Sequence, residues 1–101
     1  MDNKTIRLIA ARYAAEVRRQ MKPEPDAVIL FGSQVTGEAT ADSDIDIAVL
    51  YKGFSGNPLE FSSKLWHLTT GVDTRIEPVL LDTSQDPSGF ARRVMQDGIS
   101  L

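Results

Sequence analysis

The chain has 101 residues, no cysteine and a formal net charge of −3. This length suits one domain, spanning 1–101, and the 42% apolar and 25% charged shares are those of an ordinary globular protein. A slightly acidic chain lacks the basic stripe that broad binding to a nucleic-acid backbone normally requires. The lack of cysteine excludes disulfides and thiolate metal sites, and we expect a cytoplasmic protein. The apolar runs are too short to cross a membrane.

The N-terminal stretch predicts a long helix over about 5–21. Its apolar residues recur at three- and four-residue steps and therefore share one face; they are Ile6, Ile9, Ala10, Tyr13, Ala14, Val17 and Met21. Asp2 or Asn3 is the expected cap, and Pro23 and Pro25 end the helix. The rest of its surface is rich in arginine and lysine, which fits a solvated face or, alternatively, a contact with an anionic partner.

Two strands follow, with a turn between them. Ala27–Phe31 is a short apolar run rich in β-branched residues, which is typical of a strand buried on both faces. Ile45–Tyr51 predicts the second strand, and side-chain alternation places Asp44 and Asp46 on the same face. A short helical turn can begin between the strands at Ser33.

The next segment predicts a second long helix, from Pro58 to about Thr70, with Asn57 as its cap. Its predicted inner face consists of Leu59, Ser62 or Ser63, Trp66, and Thr69 or Thr70. We therefore expect Trp66 in the core. His67 is the single histidine, and we expect it to be neither a metal ligand nor a catalytic base.

The last third of the chain predicts a strand, a helix and a short final strand. The strand spans Thr74–Leu81, and Pro78 places it at a sheet edge or at a bulge because proline donates no ladder hydrogen bond. The helix spans about Pro87–Gln96 with Asp86 as cap, and Ile99–Leu101 can add a terminal strand. The whole order predicts a small α/β (α+β) sandwich, with a mixed sheet of three to four strands flanked by helices.

Gly32-Ser33 stands where the first buried strand ends, and Gly37 follows four residues later. A glycine at this place lets the backbone approach a ligand closely, and the following N–H groups can form a cradle for an anion such as phosphate. The pattern is neither a Walker A loop nor a dinucleotide fingerprint. Taken alone, the Gly-Ser pair is a weak signal, and a structural turn is the better interpretation.

Asp44 and Asp46 add a second kind of chemistry close to that turn. Two carboxylates on one face of a strand repel each other unless a cation lies between them. Oxygen ligands without histidine or cysteine favour Mg²⁺ or Mn²⁺ over Zn²⁺. The alternative is that Asp44 belongs to a turn cap and that Asp46 is merely exposed.

Glu77 is a third acid, in the middle of an otherwise apolar strand. If that strand neighbours Ile45–Tyr51, Glu77 joins the aspartate pair, and three carboxylates can hold one or two divalent ions. Asp73 and Asp82 compete for the role, but both lie at strand ends, where acids are routinely solvated. Glu77 is therefore the preferred third ligand.

The run from Gly32-Ser33 through Gly37 to Ser43-Asp44-Ile45-Asp46-Ile47 resembles the signature of the DNA polymerase β-like nucleotidyltransferases, and the short chain is similar to their minimal members. The resemblance implies that Gly32 and Ser33 hold a nucleoside triphosphate, with ATP as the expected nucleotide. It also implies that Asp44, Asp46 and Glu77 ligate Mg²⁺ or Mn²⁺ and form the catalytic triad.

This sequence departs from many minimal members at one place. They carry an arginine between the serine and the second glycine, where this chain has Gln34-Val35-Thr36. Arg75 or a partner chain is the expected replacement for that phosphate-facing cation. The third carboxylate is glutamate in place of the commoner aspartate.

The resemblance implies two kinds of function. One is an enzyme that transfers a nucleoside monophosphate from a nucleoside triphosphate to a hydroxyl acceptor and releases pyrophosphate. The other is a binding module without catalysis, since minimal nucleotidyltransferases resemble antitoxins that neutralise HEPN-domain toxins by complex formation. The expected partners are a nucleoside triphosphate and a HEPN-domain protein, in a possible homo- or hetero-oligomer, without membrane or nucleic acid.

Overall fold

The computed structural model describes residues 3–40 and 43–101. These residues form a mixed sheet of four strands with four helices. In chain order the elements are α1 (Asn3–Gln20), β1 (Ala27–Phe31), α2 (Ser33–Thr36), β2 (Ile45–Tyr51), α3 (Pro58–Thr69), β3 (Ile76–Asp82), α4 (Phe90–Asp97) and β4 (Ile99–Ser100). The strand order is β3-β2-β1-β4, and β2 pairs parallel with β3 whereas β1 pairs antiparallel with β2 and β4. The predicted fold class is confirmed.

The sheet has an apolar layer on each face. On one face, α1 and α3 pack over residues that include Leu30, Ile47 and Ile76. On the other face, Val94 of α4 packs against Ile29, Ala48 and Leu50. The alternation along β2 is therefore as predicted, and Asp46 points to the side of α4.

Strand β3 lies at an edge of the sheet, as Pro78 predicts, because β2 is its single neighbour among the described strands. Strand β2 therefore lies between β1 and β3. Its first residues are flanked on one side by the end of β1 and on the other by the start of β3. Residues from three separate parts of the chain meet at this point.

The caps that were predicted for α3 and α4 are found in different positions relative to the start of their helices. Asn57 caps α3, since its side-chain oxygen accepts the N–H groups of Leu59 at 3.0 Å and Glu60 at 3.3 Å. Helix α4 starts at Phe90, three residues later than predicted, because a left-handed Gly89 precedes it. Asp86 acts from further away than expected, and its carboxylate still accepts the N–H groups at the start of α4, those of Ala91 and Arg92.

At the start of α1, one of the two expected caps, Asp2, lies outside the described residues. The other, Asn3, is already part of the helix. None of the helices in the described ranges is both long and apolar enough to span a bilayer.

The prediction for the inner face of α3 is confirmed at Thr69 and wrong at Leu59 and Trp66. Leu59 is 80% exposed and Trp66 is 47% exposed, whereas Leu65 is 1% exposed. The residues that face the sheet are Phe61, Leu65, Leu68 and Thr69. The helix has apolar side chains on two faces, and its neighbours select one of them: Phe61 stacks edge-on against Tyr51 with centroids 5.2 Å apart.

Candidate active site

The glycine at the end of β1 lies directly against an acidic side chain of β2. Phe31, the last residue of β1, is the register partner of Asp46. Gly32 follows with φ 78° and ψ −151°, a region that is essentially reserved for glycine. A Cβ at this position would collide with the carboxylate of Asp46. The strand ends with the bare backbone that the sequence predicts, and a carboxylate fills the space beside it.

Helix α2 is a single turn between two glycines. Ser33 is its first residue, and the Gly32 carbonyl accepts the N–H groups of Val35 at 3.0 Å and Thr36 at 3.2 Å. Gly37 ends the turn in the left-handed conformation, with φ 84°. The backbone thus reverses sharply beside β2, and both predicted glycines occupy positions that require glycine.

The three predicted carboxylates lie on one side of the sheet. Asp46 is the register partner of Glu77 across the parallel β2–β3 pair, so both side chains leave the same face. Burial, followed by the charge of Asp44, raises the pKa of Asp46 above its usual value, against a hydrogen bond with Glu77 that lowers it. The pKa of Glu77 is also raised, first by desolvation and then by the charges of Asp44 and Asp46 and hydrogen bonds with both. The structure therefore brings the three acids close enough for their charges to act on one another.

The carboxylate oxygens of Asp44, Asp46 and Glu77 are suitable ligands for a hard divalent cation, although the three side chains do not form a preformed metal site. Within residues 3–40 and 43–101, no three acidic, histidine or cysteine side chains converge closely enough to hold a metal ion. The acids offer only oxygen donors, which suit Mg²⁺ or Mn²⁺. Desolvation, followed by the neighbouring negative charges, raises the pKa values of Asp46 and Glu77, and a cation bound between these carboxylates would offset the repulsion.

The two acids that competed with Glu77 have structural partners. Asp73 receives a forked pair of bonds from Arg75, with Nε at 3.0 Å and an Nη at 2.7 Å. The Asp82 carboxylate accepts the backbone N–H groups of Gly53 and Phe54, each at 3.0 Å. Because these two carboxylates are already occupied, Glu77 remains the better candidate.

Arg75 lies in a groove on another side of α2. The groove has a volume of about 290 Å³, and its polar walls include Ser33, Gln34, Gly37, Ser43 and Arg75. Neither Gly32 nor the three carboxylates line it. The predicted site residues thus form two neighbouring groups, with α2 as the wall that they share.

Sequence reasoning missed two residues at the site. The Gln34 side chain donates from Nε2 to the carbonyl oxygen of Asp44 at 3.1 Å, and the carbonyl oxygen of Ser43 lies 3.5 Å away. Phe90, at the start of α4, packs edge-on against Phe31 with centroids 5.8 Å apart, next to the Gly32 turn. Gln34 lies in the segment between Ser33 and Gly37, which the sequence analysis noted only for its lack of an arginine. No feature of the local sequence pattern indicates a role for Phe90.

The part of the chain that carries the glycine turn, Asp44, Asp46 and Glu77 matches a known family. The model of the polymerase β nucleotidyltransferase family matches residues 16–101. The chain therefore belongs to that family and is a transferase of this class. No curated protein matches the chain.

Solved structures with the same fold cover most of the chain. A candidate minimal nucleotidyltransferase matches with a TM-score of 0.69 and 24% identity, over 100% of this chain and 97% of its own. A candidate nucleotidyltransferase from Sulfolobus solfataricus matches with a TM-score of 0.68 and 22% identity, over 97% of this chain and 80% of its own. A toxin–antitoxin crystallised with AMP-PNP matches with a TM-score of 0.60 and 26% identity, over 88% of this chain and 69% of its own. The fold is that of a minimal nucleotidyltransferase domain.

Proposed function

We propose that the protein transfers a nucleoside monophosphate from ATP to a hydroxyl acceptor, in a reaction that depends on Mg²⁺ or Mn²⁺. The observation that supports this function most strongly is the contact between the Gly32 backbone and the Asp46 carboxylate, with Glu77 in register beside it. The turn that is proposed to accept phosphate and the acids that are proposed to bind metal are therefore adjacent, as nucleotidyl transfer requires.

Each residue has a defined task in this proposal. Gly32 and Ser33 hold the triphosphate, because Gly32 permits close approach and Ser33 supplies a hydroxyl. Asp44, Asp46 and Glu77 would hold the divalent ion, which neutralises phosphate charge and orients the attacking hydroxyl. In this proposal Glu77, which is exposed whereas Asp46 is half-buried, accepts the proton of that hydroxyl.

Gly37 and Arg75 act on the groove side of α2. Gly37 ends the α2 turn and keeps its exit free of a side chain. Arg75 supplies a positive charge to the groove, where its guanidinium is held by Asp73. In this proposal the pair supports the triphosphate from the groove side, which replaces the arginine that the turn itself lacks.

The test is transfer of label from α-³²P-ATP in the presence of Mg²⁺ or Mn²⁺. The wild-type protein is assayed alone and with the protein encoded by the adjacent gene, because the acceptor can be that partner. Asp46→Asn is the matched control, since it keeps the side-chain size and removes the charge. Label on the partner from wild type and none from Asp46→Asn supports the proposal. Equal labelling by both proteins would contradict it.

The second candidate function is an antitoxin that neutralises a HEPN-type toxin by complex formation, without catalysis. The observation in its favour is the likeness to one half of a toxin–antitoxin complex, over 88% of this chain. Co-expression with the adjacent gene separates the two functions. Rescue of growth by Asp46→Asn as complete as by the wild type supports neutralisation by binding, whereas loss of rescue supports transfer.

A further inference from the structure

We propose that Gln34 is a positioning residue, whose side-chain amide holds the backbone at Asp44 and so sets the place of the carboxylates relative to the Gly32-Ser33 turn. The inference rests on the proposed function, because it concerns the same metal and nucleotide site. Gln34 belongs to the segment Gln34-Val35-Thr36, in which many of the minimal members that the chain resembles carry an arginine.

The contact lies at the entry to β2. Gln34 donates from Nε2 to the Asp44 carbonyl oxygen at 3.1 Å, and the Ser43 carbonyl oxygen is at the limit of contact, 3.5 Å. The next residue, Ile45, donates its backbone N–H to the carbonyl oxygen of Arg75 at 2.9 Å. The entry to β2 is therefore held from two sides, by α2 through the Gln34 side chain and by the segment before β3.

The position of Asp44 gives this contact its importance. The pairing of β1 with β2 ends at the pair Phe31 and Asp46. Asp44 thus lies two residues beyond the ladder that joins β2 to β1, and its side chain is exposed. The Gln34 amide continues the connection from the phosphate turn to this residue.

Hydrogen bonds of this second layer orient metal ligands and are worth about 10- to 100-fold in metal affinity or activity. A carboxylate on a loosely held backbone must be ordered when the metal and the triphosphate bind. The Gln34 amide orders it beforehand, since it is anchored in the turn that would receive the phosphates. Removal of the amide should therefore weaken metal binding and the chemical step more than it weakens the fold.

The test compares Gln34→Met with Gln20→Met. Methionine has nearly the length of glutamine and lacks the amide. The Gln20 amide also donates a side-chain hydrogen bond, to Glu16 at 2.7 Å, but on the exposed surface of α1. The readouts are the dissociation constant of Mn²⁺ by electron paramagnetic resonance with a non-hydrolysable ATP analogue, and kcat and KM for label transfer.

We expect Gln34→Met to raise the Mn²⁺ dissociation constant about tenfold and to lower kcat by a similar factor, with less change in KM for ATP. Gln20→Met should leave all three at wild-type values, and both variants should melt near the wild-type temperature. If Gln34→Met does not fold, Gln34→Asn replaces it, because its amide is one methylene too short to reach the carbonyl.

The outcomes are distinguishable. Wild-type Mn²⁺ binding and transfer together with a Gln34 variant within twofold of wild type would overturn the role of Gln34 and leave the proposed function intact. A defect in Gln20→Met as large as in Gln34→Met would also overturn it, because the effect would then be general. A wild-type protein that neither binds Mn²⁺ with the analogue nor transfers label would overturn the proposed function, and the inference with it.

Discussion

At the scale of single residues, Gly32 meets two requirements at once. Its backbone conformation costs a residue with a side chain about 1–3 kcal/mol, and its missing Cβ makes room for the Asp46 carboxylate. Gly37 shares only the first requirement, since a Cβ there would meet nothing within 4 Å. A substitution at Gly37 therefore tests backbone strain alone, whereas a substitution at Gly32 tests backbone strain together with steric contact at Asp46.

We expect Gly32→Ala to destabilise the protein by clearly more than Gly37→Ala, which should cost about 1–2 kcal/mol for the left-handed conformation alone. The additional loss comes from displacement of Asp46. Urea unfolding in the presence of a chelator measures both free energies. Equal losses for the two variants would show that Asp46 moves away from the new methyl group without cost.

Asp46→Asn should leave the metal-free protein as stable as the wild type or more stable, by up to about 1 kcal/mol, because it removes one of three repelling charges. The pKa values of Asp46 and Glu77 are raised, so the wild type loses stability as pH rises through the unfolded and then the folded pKa of each group. The free energy of unfolding should therefore fall less for Asp46→Asn than for the wild type as pH rises from about 4.

Unfolding of Asp46→Asn and wild type in chelator, at several pH values between 3 and 7, tests this expectation. A marked loss of stability in the variant at pH 7 would mean that the Asp46 carboxylate makes structural hydrogen bonds. Its raised pKa would then reflect burial alone and would no longer support a metal site.

At the scale of elements, α3 has two apolar faces, and packing against α1 and the sheet buries one of them. Leu65 is buried under α1, and its carbonyl oxygen accepts a hydrogen bond from the Tyr13 hydroxyl at 2.7 Å. Trp66, the next residue, is turned outward. The larger of the two side chains is therefore the less important one for stability.

We expect Leu65→Ala to cost about 2–5 kcal/mol, as is usual for a leucine removed from a core, and Trp66→Ala to cost less than about 1 kcal/mol. Thermal or urea unfolding of both variants gives the comparison. The opposite order would place Trp66 in the core after all.

The loop after β2 is fastened to the end of β3 by one carboxylate. Asp82 accepts the N–H groups of Gly53, Phe54 and Ser84 and the Ser84 hydroxyl. The Ser84 hydroxyl and these backbone groups lower its pKa from 3.8 to about 2. Its contribution is therefore present above about pH 4 and disappears as pH falls toward 2.

Asp82→Asn should accordingly be less stable than wild type at pH 7, and the difference should shrink between about pH 4 and pH 2. Unfolding curves across that range measure it. Asp97→Asn, at the end of α4, is the control with the same chemical change. A pH-independent difference for Asp82→Asn would contradict the assignment.

At the scale of the whole molecule, metal and nucleotide should stabilise the fold only together. Asp46 and Glu77 lie on β2 and β3, and Asp44 lies just before β2. The Gly32-Ser33 turn leads from β1 into α2, so a bound Mg²⁺–ATP complex would bridge elements from both halves of the chain. Ligand at a hundredfold excess over its dissociation constant adds about 2.7 kcal/mol. For a domain of this size that is an increase in Tm of roughly 10 °C.

Thermal melts in chelator, in Mg²⁺ alone, in ATP with chelator and in Mg²⁺–ATP test this coupling. The large shift should appear only in the last condition, and Asp44→Asn should abolish it. A comparable shift with ATP in chelator would mean that the nucleotide binds through the turn and the groove without the carboxylates.

The sequence by itself determined the order of the elements, the two-sided burial of Ala27–Phe31 and the cap at Asn57, because these depend on local periodicity and on the chemistry of single residues. It also determined that Asp46 shares a face with Ala48, since alternation along a strand is a property of the backbone. Pro78 lacks the N–H that an interior strand must donate, so it limited β3 to a sheet edge or a bulge, and the structure shows the edge.

Only the tertiary structure decided which face of α3 is buried. The face with Phe61 and Leu65 and the face with Leu59 and Trp66 are both apolar, and the shape of the neighbouring layer determines which of them packs against it. The parallel pairing decided that Glu77 stands beside Asp46, since no local signal sets the register between strands that are far apart in sequence. The bond from Gln34 to the Asp44 carbonyl was likewise not predicted, although the two residues are only ten positions apart. It joins two backbone segments whose separation in space follows from the packing of the whole chain.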